Sequence, residues 1–555
     1  MTGRAQSTPI GPPILPPALS PEIPVEIDWA GPLTGTEVVD EVTAQAVGGV
    51  MHVHGRSRGE PSGMAADYAT TAARVLAGTG VLAGLVGKAR GGSVDLVRTS
   101  VAHAALLTVS QYLAAAGAED DEAVPLAPGG PPFRSRDDIL FELDTLDPEV
   151  WRDFWVRVGA PASTAGAAWR PFQFRYATAV APLPATLHEL TALLTFAELS
   201  AVADRTGMSI CGLTSLRERA HELGGAIPEP WWVSPLPGSY TRATKPADSA
   251  PLSGMVVLEA GRRVQAPLAA HLLSLLGAQV IRIEPPGGDP LRGMPPMCED
   301  TSARWLALNR HKDAVQIDIK DPVGRDELRD LVSSADVFLH NWAPGKAENF
   351  GLGAEDLASV RSGLVYAYTS GYAGRIQDPP LGTDFMVQAR TGLGEVIRPE
   401  DQPPAPSLMA LVDVLGGLLG AHAILGALLD RERTGRACQV ESCLLAAADL
   451  LQADAVRAVN EGGTGRQPAG FRRPLRTADG WCAPSDQDAS SAARHAHRLR
   501  EISTVDAIGL LREHGLHAAP VTDDLATLPA DPRFAAVIAP DKHRCPAVQS
   551  PWSFS

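Results

Sequence analysis

Cysteine is scarce: the chain has six in 555 residues (Cys211, Cys298, Cys438, Cys443, Cys482, Cys545), and no two form a CxxC pair. That spacing excludes a zinc ribbon and a disulfide scaffold and fits a reducing compartment, the cytoplasm. Positive charge is also short. Against 64 Asp and Glu stand 48 Lys and Arg, a formal net charge of −16, which disfavours nucleic acid because phosphate-backbone binding needs a basic surface. A few local cations can still receive a small anion. No Walker loop and no GxGxxG occurs, so neither ATP nor NAD is indicated. The N-terminal stretch over 1–26 is broken by proline, unlike a signal peptide, and is expected to be a flexible arm. The longest apolar run, 408–429, could cross a bilayer by length, but Asp413 and His422 interrupt it, so a buried helix of a soluble core is expected.

At roughly 150 residues per domain the length predicts about three or four domains. An internal comparison organises them. Residues 64–107 and 408–451 share one order: Asp, long apolar helix, basic turn with Gly, short strand, second apolar helix. Asp67 matches Asp413 and Asp95 matches Glu441, both 346 residues apart. Between the copies, Ser234 to Gly238 and Lys245 to Asp248 are rich in proline and read as a linker, placing a boundary near 245.

Past it, strands are expected over 255–259, 279–284, 314–319, 337–340 and 364–369, with helices over 266–276 and 323–334. Alternating strands and helices predict an α/β fold with a doubly wound, mostly parallel, Rossmann-like sheet and a smaller α+β domain, partially duplicated. The first copy lacks the βαβ beginning. His52 and His54 are expected on one face of a strand, a weak metal signal with no third ligand, so no metal site is assigned.

Motifs sit at the expected strand ends, where open α/β sheets place ligands: Glu284 to Asp289, Asn309 to Lys312, Asn341 to Gly345, Thr369 to Tyr372, and Gly382 to Phe385. Asp384 precedes an apolar stretch and on its own reads as a helix N-cap whose neighbouring N–H groups keep it ionised.

The order LSGMVVLEAGRRVQAPLAAHLLSLLGAQVIRIEPPGGDPLR, NRHK, LHNWAPG, SGY, GTDFMVQA and DRERTGRACQVE resembles the class III (CaiB/BaiF) CoA-transferase family, which includes formyl-CoA transferase, carnitine CoA-transferase and α-methylacyl-CoA racemase. The resemblance covers about 200 residues. It implies that Asp384 is the nucleophile: its carboxylate attacks an acyl-CoA to give an aspartyl-acyl anhydride and then an aspartyl-CoA thioester, which a carboxylic acid acceptor attacks. It implies that Arg282, Arg292, Asn309, Arg310, Lys312, Asn341 and Trp342 lie along the CoA site, with Trp342 on the adenine. Ser370 and Gly371, with Tyr372, are expected as a donor loop for tetrahedral oxyanions. Coenzyme A or acyl-CoA is then a substrate, with no tightly bound cofactor.

The departures qualify this reading. Asn349 stands where formyl-CoA transferase has an Arg in the CoA site. No His lies between Asn341 and Asp384, which weighs against the racemase members, although His340 adjoins that stretch. An acyl-CoA racemase or isomerase, or a non-catalytic acyl-CoA-binding protein, is the alternative. In the first copy Glu41 aligns with Asp384 through Gln45 and Gln388; it reads as a substitute carboxylate or a surface residue, and the surface is expected. The chain is read as a fusion of two incomplete copies: a degenerate one over 27–245 (large-domain fragment 27–120, small-domain-like 121–245) and one over 246–555 with the CoA-binding half and a shortened C-terminal small domain. The first copy would lend its small domain, near 133–226, to the second, as a partner chain does in the interlocked dimers of the family. A homodimer and a pseudo-dimer within one chain both remain open.

Overall fold

The computed structural model describes residues 8–16, 19, 22–239 and 250–555, so the linker segment 245–248 and positions 1–7, 17–18 and 20–21 of the arm over 1–26 lie outside the described residues. The chain's first half carries the helices α1 (Glu41–Val47) and α2 (Tyr68–Ala89) among others. The second half is built on a sheet of β1 (Trp231–Ser239), β2 (Val256–Ala260), β3 (Gln279–Glu284), β4 (Lys312–Gln316), β5 (Val337–His340), β6 (Val365–Ser370) and β7 (Arg436–Cys443). The spatial order is β4-β3-β2-β5-β6-β7-β1, parallel throughout except that β1 runs antiparallel to β7. The fold is the expected α/β class. β4 begins two residues earlier than the sequence suggests, because Lys312, the first residue of the strand, pairs with Val280.

The apolar central strands are buried on both faces, as a parallel sheet covered by helices requires. Helix α3 (Gln265–Leu275) and the long helices α2 and α5 (Leu411–Thr434) supply much of that cover. Both α2 and α5 are long and apolar enough to cross a membrane, and 89% of each apolar window is buried inside the protein. Each buried Leu of α5, such as Leu415, Leu418 and Leu425, contributes about 2 kcal/mol. Gly435 ends α5 at φ 70°, its N–H returning to the carbonyl of Arg431 at 2.8 Å.

The two copies meet along α2 and α5. The hydroxyl of Tyr68 donates to the carbonyl of Leu411 at 3.1 Å, and Thr79 Oγ1 lies 3.3 Å from His422 Nδ1. Both pairs are 343 residues apart, so the helices run parallel and in register, as they do beside a two-fold axis. The same separation relates the helices that follow the two matching strands, Val101–Thr108 and Leu444–Leu451. It replaces the separation of 346 expected from the sequence. Ala-rich helices slide past one another in sequence without penalty, whereas hydrogen bonds fix the register.

His52 and His54 lie in a helix, Val50–Gly55, and not in a strand. The two rings therefore diverge: His52 accepts from Arg56, and His54 Nδ1 lies 2.9 Å from Ser407 Oγ.

Candidate active site

Two loops close the crevice at the switch point of the sheet, where β2 has β3 on one side and β5 on the other. The loop after β2 and the loop after β5 are laced together: Arg262 N–H donates to Asn341 Oδ1 at 2.8 Å, and Asn341 Nδ2 returns to the Arg262 carbonyl at 2.9 Å. Beyond them lies a cavity of about 1810 Å³, larger than a small-molecule pocket needs and roomy enough for an extended nucleotide thioester.

Asp384 lines this cavity from the first turn of α4 (Asp384–Arg390). Thr383 is the N-cap residue, so Asp384 does not act as the cap. Its carboxyl is 2% exposed and held at both oxygens: Oδ1 accepts from Gln388 Nε2 at 2.5 Å, and Oδ2 accepts from the backbone N–H of Asp413 at 2.7 Å. Gln388 is itself fixed by Ser407, donating to its carbonyl at 3.0 Å and accepting its N–H at 2.8 Å. Burial, and then the neighbouring Asp413 charge, push the Asp384 carboxyl well above the usual carboxylate range. That is the reverse of the ionised cap expected from the sequence. Asp413 is also pushed up by burial, to about 6, with Arg263 opposing the rise. Its carboxylate has no hydrogen-bond partner among the described residues.

Gly371 and Gly382 approach so closely that a Cβ on Gly371 would come within 2.4 Å of the Gly382 Cα. Only glycine fits, and the contact sets the 370–372 loop against the start of α4. The first half of the chain closes the opposite wall. The Thr383 hydroxyl donates to Asp144 Oδ2, and the guanidinium of Arg175 lies 4.4 Å from the Phe385 ring and 3.4 Å from Asp144. Arg175 also faces the buried Glu142 at 3.6 Å, whose carboxyl burial lifts to about 8.

The structure brings Arg282, Asn341, Trp342, Ser370, Gly371 and Asp384 together around the cavity. It does not bring Arg292, Asn309, Arg310 or Lys312 there. Arg292 is bound to Glu284 at 2.8 Å and stacks on Trp305 at 3.7 Å; Asn309 donates to the carbonyl of Trp305; Arg310 pairs with Asp541 at 2.7 Å. Lys312 is buried against Glu259 at 2.9 Å, which leaves it no free hydrogen-bonding capacity for a phosphate. Arg282 reaches the cavity wall while paired with Glu259 and Asp289. Trp342 is buried at 7% exposure, with its ring 4.9 Å from that of His340.

Four unpaired cations that the sequence reading passed over line the cavity instead: Arg262, Arg263, Lys320 and Lys346. None has an ion-pair partner among the described residues. Partial burial, then the charges of Arg262 and Lys320, hold Lys346 below its ordinary value. The Gly-Arg-Arg turn after β2 and the Lys that follows the WAPG stretch were the available signals.

Glu41, expected at the surface, is buried at 3% exposure and repeats the Asp384 arrangement. It is the first residue of α1, and its Oε1 accepts from Gln45 four residues on at 2.8 Å, as Asp384 accepts from Gln388. Its remaining bonds come from the N–H groups of Ala69 and Thr70 and the Thr70 hydroxyl, at 2.9, 2.7 and 2.6 Å. Thr70 and Asp413 are again 343 apart. Glu41 does not line the cavity; Arg472, bound to Asp67 at 2.6 Å and Asp486 at 2.9 Å, packs nearby. Among the described residues no group of three or more His, Cys, Asp or Glu is arranged to hold a metal ion.

The sequence matches CoA-transferase family III over residues 29–223 and 252–522. The chain belongs to CoA-transferase family III. The two matched segments fit a fusion of two family copies. Among its relatives are succinyl-CoA:glutarate CoA-transferase of Mus musculus, 36% identical over 201 residues that make up 35% of this chain and 45% of that protein, and acetyl-CoA:oxalate CoA-transferase of Acetobacter aceti, 32% identical over 207 residues, 36% of this chain and 52% of that protein. The chain spans about half the length of these relatives. A CaiB/BaiF family protein from Brucella suis has a similar structure: TM-score 0.50 and 26% identity, covering 56% of this chain and 93% of that one.

Proposed function

We propose that this family III member moves CoA from an acyl-CoA to a carboxylic acid through Asp384. The observation that carries the reading is a buried carboxyl, anchored at both oxygens, at the wall of a cavity that also carries a cluster of unpaired cations. Arg262, Lys320 and Lys346 suit the phosphates of CoA, with Asn341 tying the Arg262 loop and Arg282, Trp342, Ser370 and Gly371 along the same wall. The relatives that act on succinyl-CoA with glutarate and on acetyl-CoA with oxalate support the reaction class.

An ionised Asp384 oxygen adds to the thioester carbonyl, and the tetrahedral intermediate expels CoA thiolate to leave an aspartyl-acyl anhydride. The thiolate then attacks the aspartyl carbonyl and releases the first acid. The acceptor carboxylate attacks the aspartyl-CoA thioester, and returning thiolate takes the new acyl group, freeing Asp384. Walls drawn from both halves of the chain keep water from the anhydride.

In this reading the copy over 27–245 is a degenerate partner fused to a CoA-binding copy over 246–555, and one chain forms a pseudo-dimer. Asp144 and Arg175 come from the degenerate copy. A two-base racemase finds less support: no His lines the cavity among the described residues, and His340 Nε2 is engaged with the Tyr366 hydroxyl at 2.7 Å.

The test is covalent. Incubation with a panel of acyl-CoAs, trapping with hydroxylamine or borohydride, and peptide mapping should place the modification on Asp384 and lose it in Asp384→Ala. CoA thioester binding with no modification would instead indicate a binding protein.

A further inference from the structure

The two arginines after β2 face different neighbours. Arg262 belongs to the outer cation group with Lys320 and Lys346, and its backbone is laced to Asn341. Arg263 turns the other way. It is a non-glycine residue at φ 63°, a left-handed conformation that costs about 1 kcal/mol and persists where the surroundings hold it. Its guanidinium lies 5.2 Å from the centre of the Tyr176 ring, and it is the nearby cation whose charge reaches Asp413, the residue whose N–H holds Asp384. Arg263 lines the cavity and has no hydrogen-bond or ion-pair partner among the described residues.

No other inner cation is available in this way. Arg175 is committed to Glu142 and Asp144, and Arg282 to Glu259 and Asp289. Arg263 therefore presents an unmatched planar fork of N–H donors, steadied by an aromatic face, in the cavity that Asp384 and Asp413 also line. A guanidinium in that state is complementary to a carboxylate, which it grips at two points. Asp413 does not take it up, since the pair is not within ion-pair distance.

We infer that Arg263 receives a carboxylate at the end of the acyl group remote from the thioester, so that the acyl subsite selects dicarboxylic acids. The inference rests on the transferase reading. Donor acyl group and acceptor acid occupy that subsite in turn, so one arginine serves both.

Succinyl-CoA and butyryl-CoA have acyl chains of equal length and differ by one carboxylate. The second-order rate at which each donor leads to hydroxylamine-trapped Asp384, which reports kcat/KM for the first acyl transfer, is measured in the full-length wild-type chain, Arg263→Leu and Arg263→Lys. Wild type should favour succinyl-CoA by about 100-fold in kcat/KM, the size expected of a charge-assisted pair in a desolvated site. Arg263→Leu should collapse that ratio, and Arg263→Lys should retain part of it. An equal fall for both donors in Arg263→Leu would assign the residue to CoA and overturn the proposal, as would a wild type with no preference for succinyl-CoA. Turnover of neither donor, with Asp384 unlabelled, would remove the transferase reading and this inference with it.

Discussion

The backbone N–H of Asp413 donates to Oδ2 of Asp384 at 2.7 Å, so the proposed nucleophile is held by a residue that carries a second carboxyl to the wall of the same cavity. Burial raises both carboxyls, the Asp413 charge raises that of Asp384 further, and the two titrate as a pair. Only ionised Asp384 is nucleophilic, so acylation should rise with pH as the pair loses its shared proton. Asp413→Asn keeps the N–H and removes the like charge. The rising limb of the acylation pH profile should move to lower pH in that variant, and an unmoved limb would separate the two groups.

The same pair sets a stability trend. The Asp413 carboxyl goes from about 3.8 unfolded to about 6 folded, so the folded state keeps a proton that the unfolded chain gives up. Stability from this group is complete below the lower value and lost as pH rises through the higher one. The Tm of Asp413→Asn should match wild type near pH 3.5 and exceed it increasingly between pH 4 and 7, in thermal scans across that range.

Arg175 pairs with Glu142 and Asp144 inside the first half and reaches the second half by covering the Phe385 ring. Arg175→Met leaves two buried carboxyls without their cation and should cost about 3–5 kcal/mol in urea denaturation. Glu142→Gln in the same chain should recover part of that loss, because the removed charge and the removed partner interact.

Glu41 is the counterpart of Asp384 without a cavity. Glu41→Ala strands the N–H groups of Ala69 and Thr70 and the Gln45 amide and should destabilise by about 3 kcal/mol. Peptide mapping after acyl-CoA treatment should find no adduct there. An adduct on Glu41 would show that the first copy reacts.

Lys346→Gln weakens the cation cluster at the cavity wall. KM for acyl-CoA should rise about tenfold, while a truncated N-acetylcysteamine thioester, which has no phosphates, should be used as before. Equal effects on both thioesters would place Lys346 elsewhere in the mechanism.

The sheet was largely legible, because short apolar strands bounded by turn residues keep their pattern wherever the chain goes. The cations were not. Lys312 and Arg310 look free in sequence, yet their carboxylate partners are Glu259 on another strand and Asp541 some 230 residues away. Asp144 and Arg175 carry no motif at all and reach Thr383 and Phe385, on either side of Asp384, only because the halves pack together. The burial of Glu41 became visible once hydrogen bonds, rather than the composition of apolar helices, fixed the register between copies.

The central claim is that Asp384 oxygen enters the reaction. With acceptor carboxylate labelled with ¹⁸O, each complete cycle through an aspartyl anhydride leaves one acceptor oxygen on Asp384. The Asp384 peptide should therefore gain about 2 Da after a single turnover and approach a gain of about 4 Da over many. An unlabelled Asp384 in a chain that still transfers CoA would contradict the covalent account.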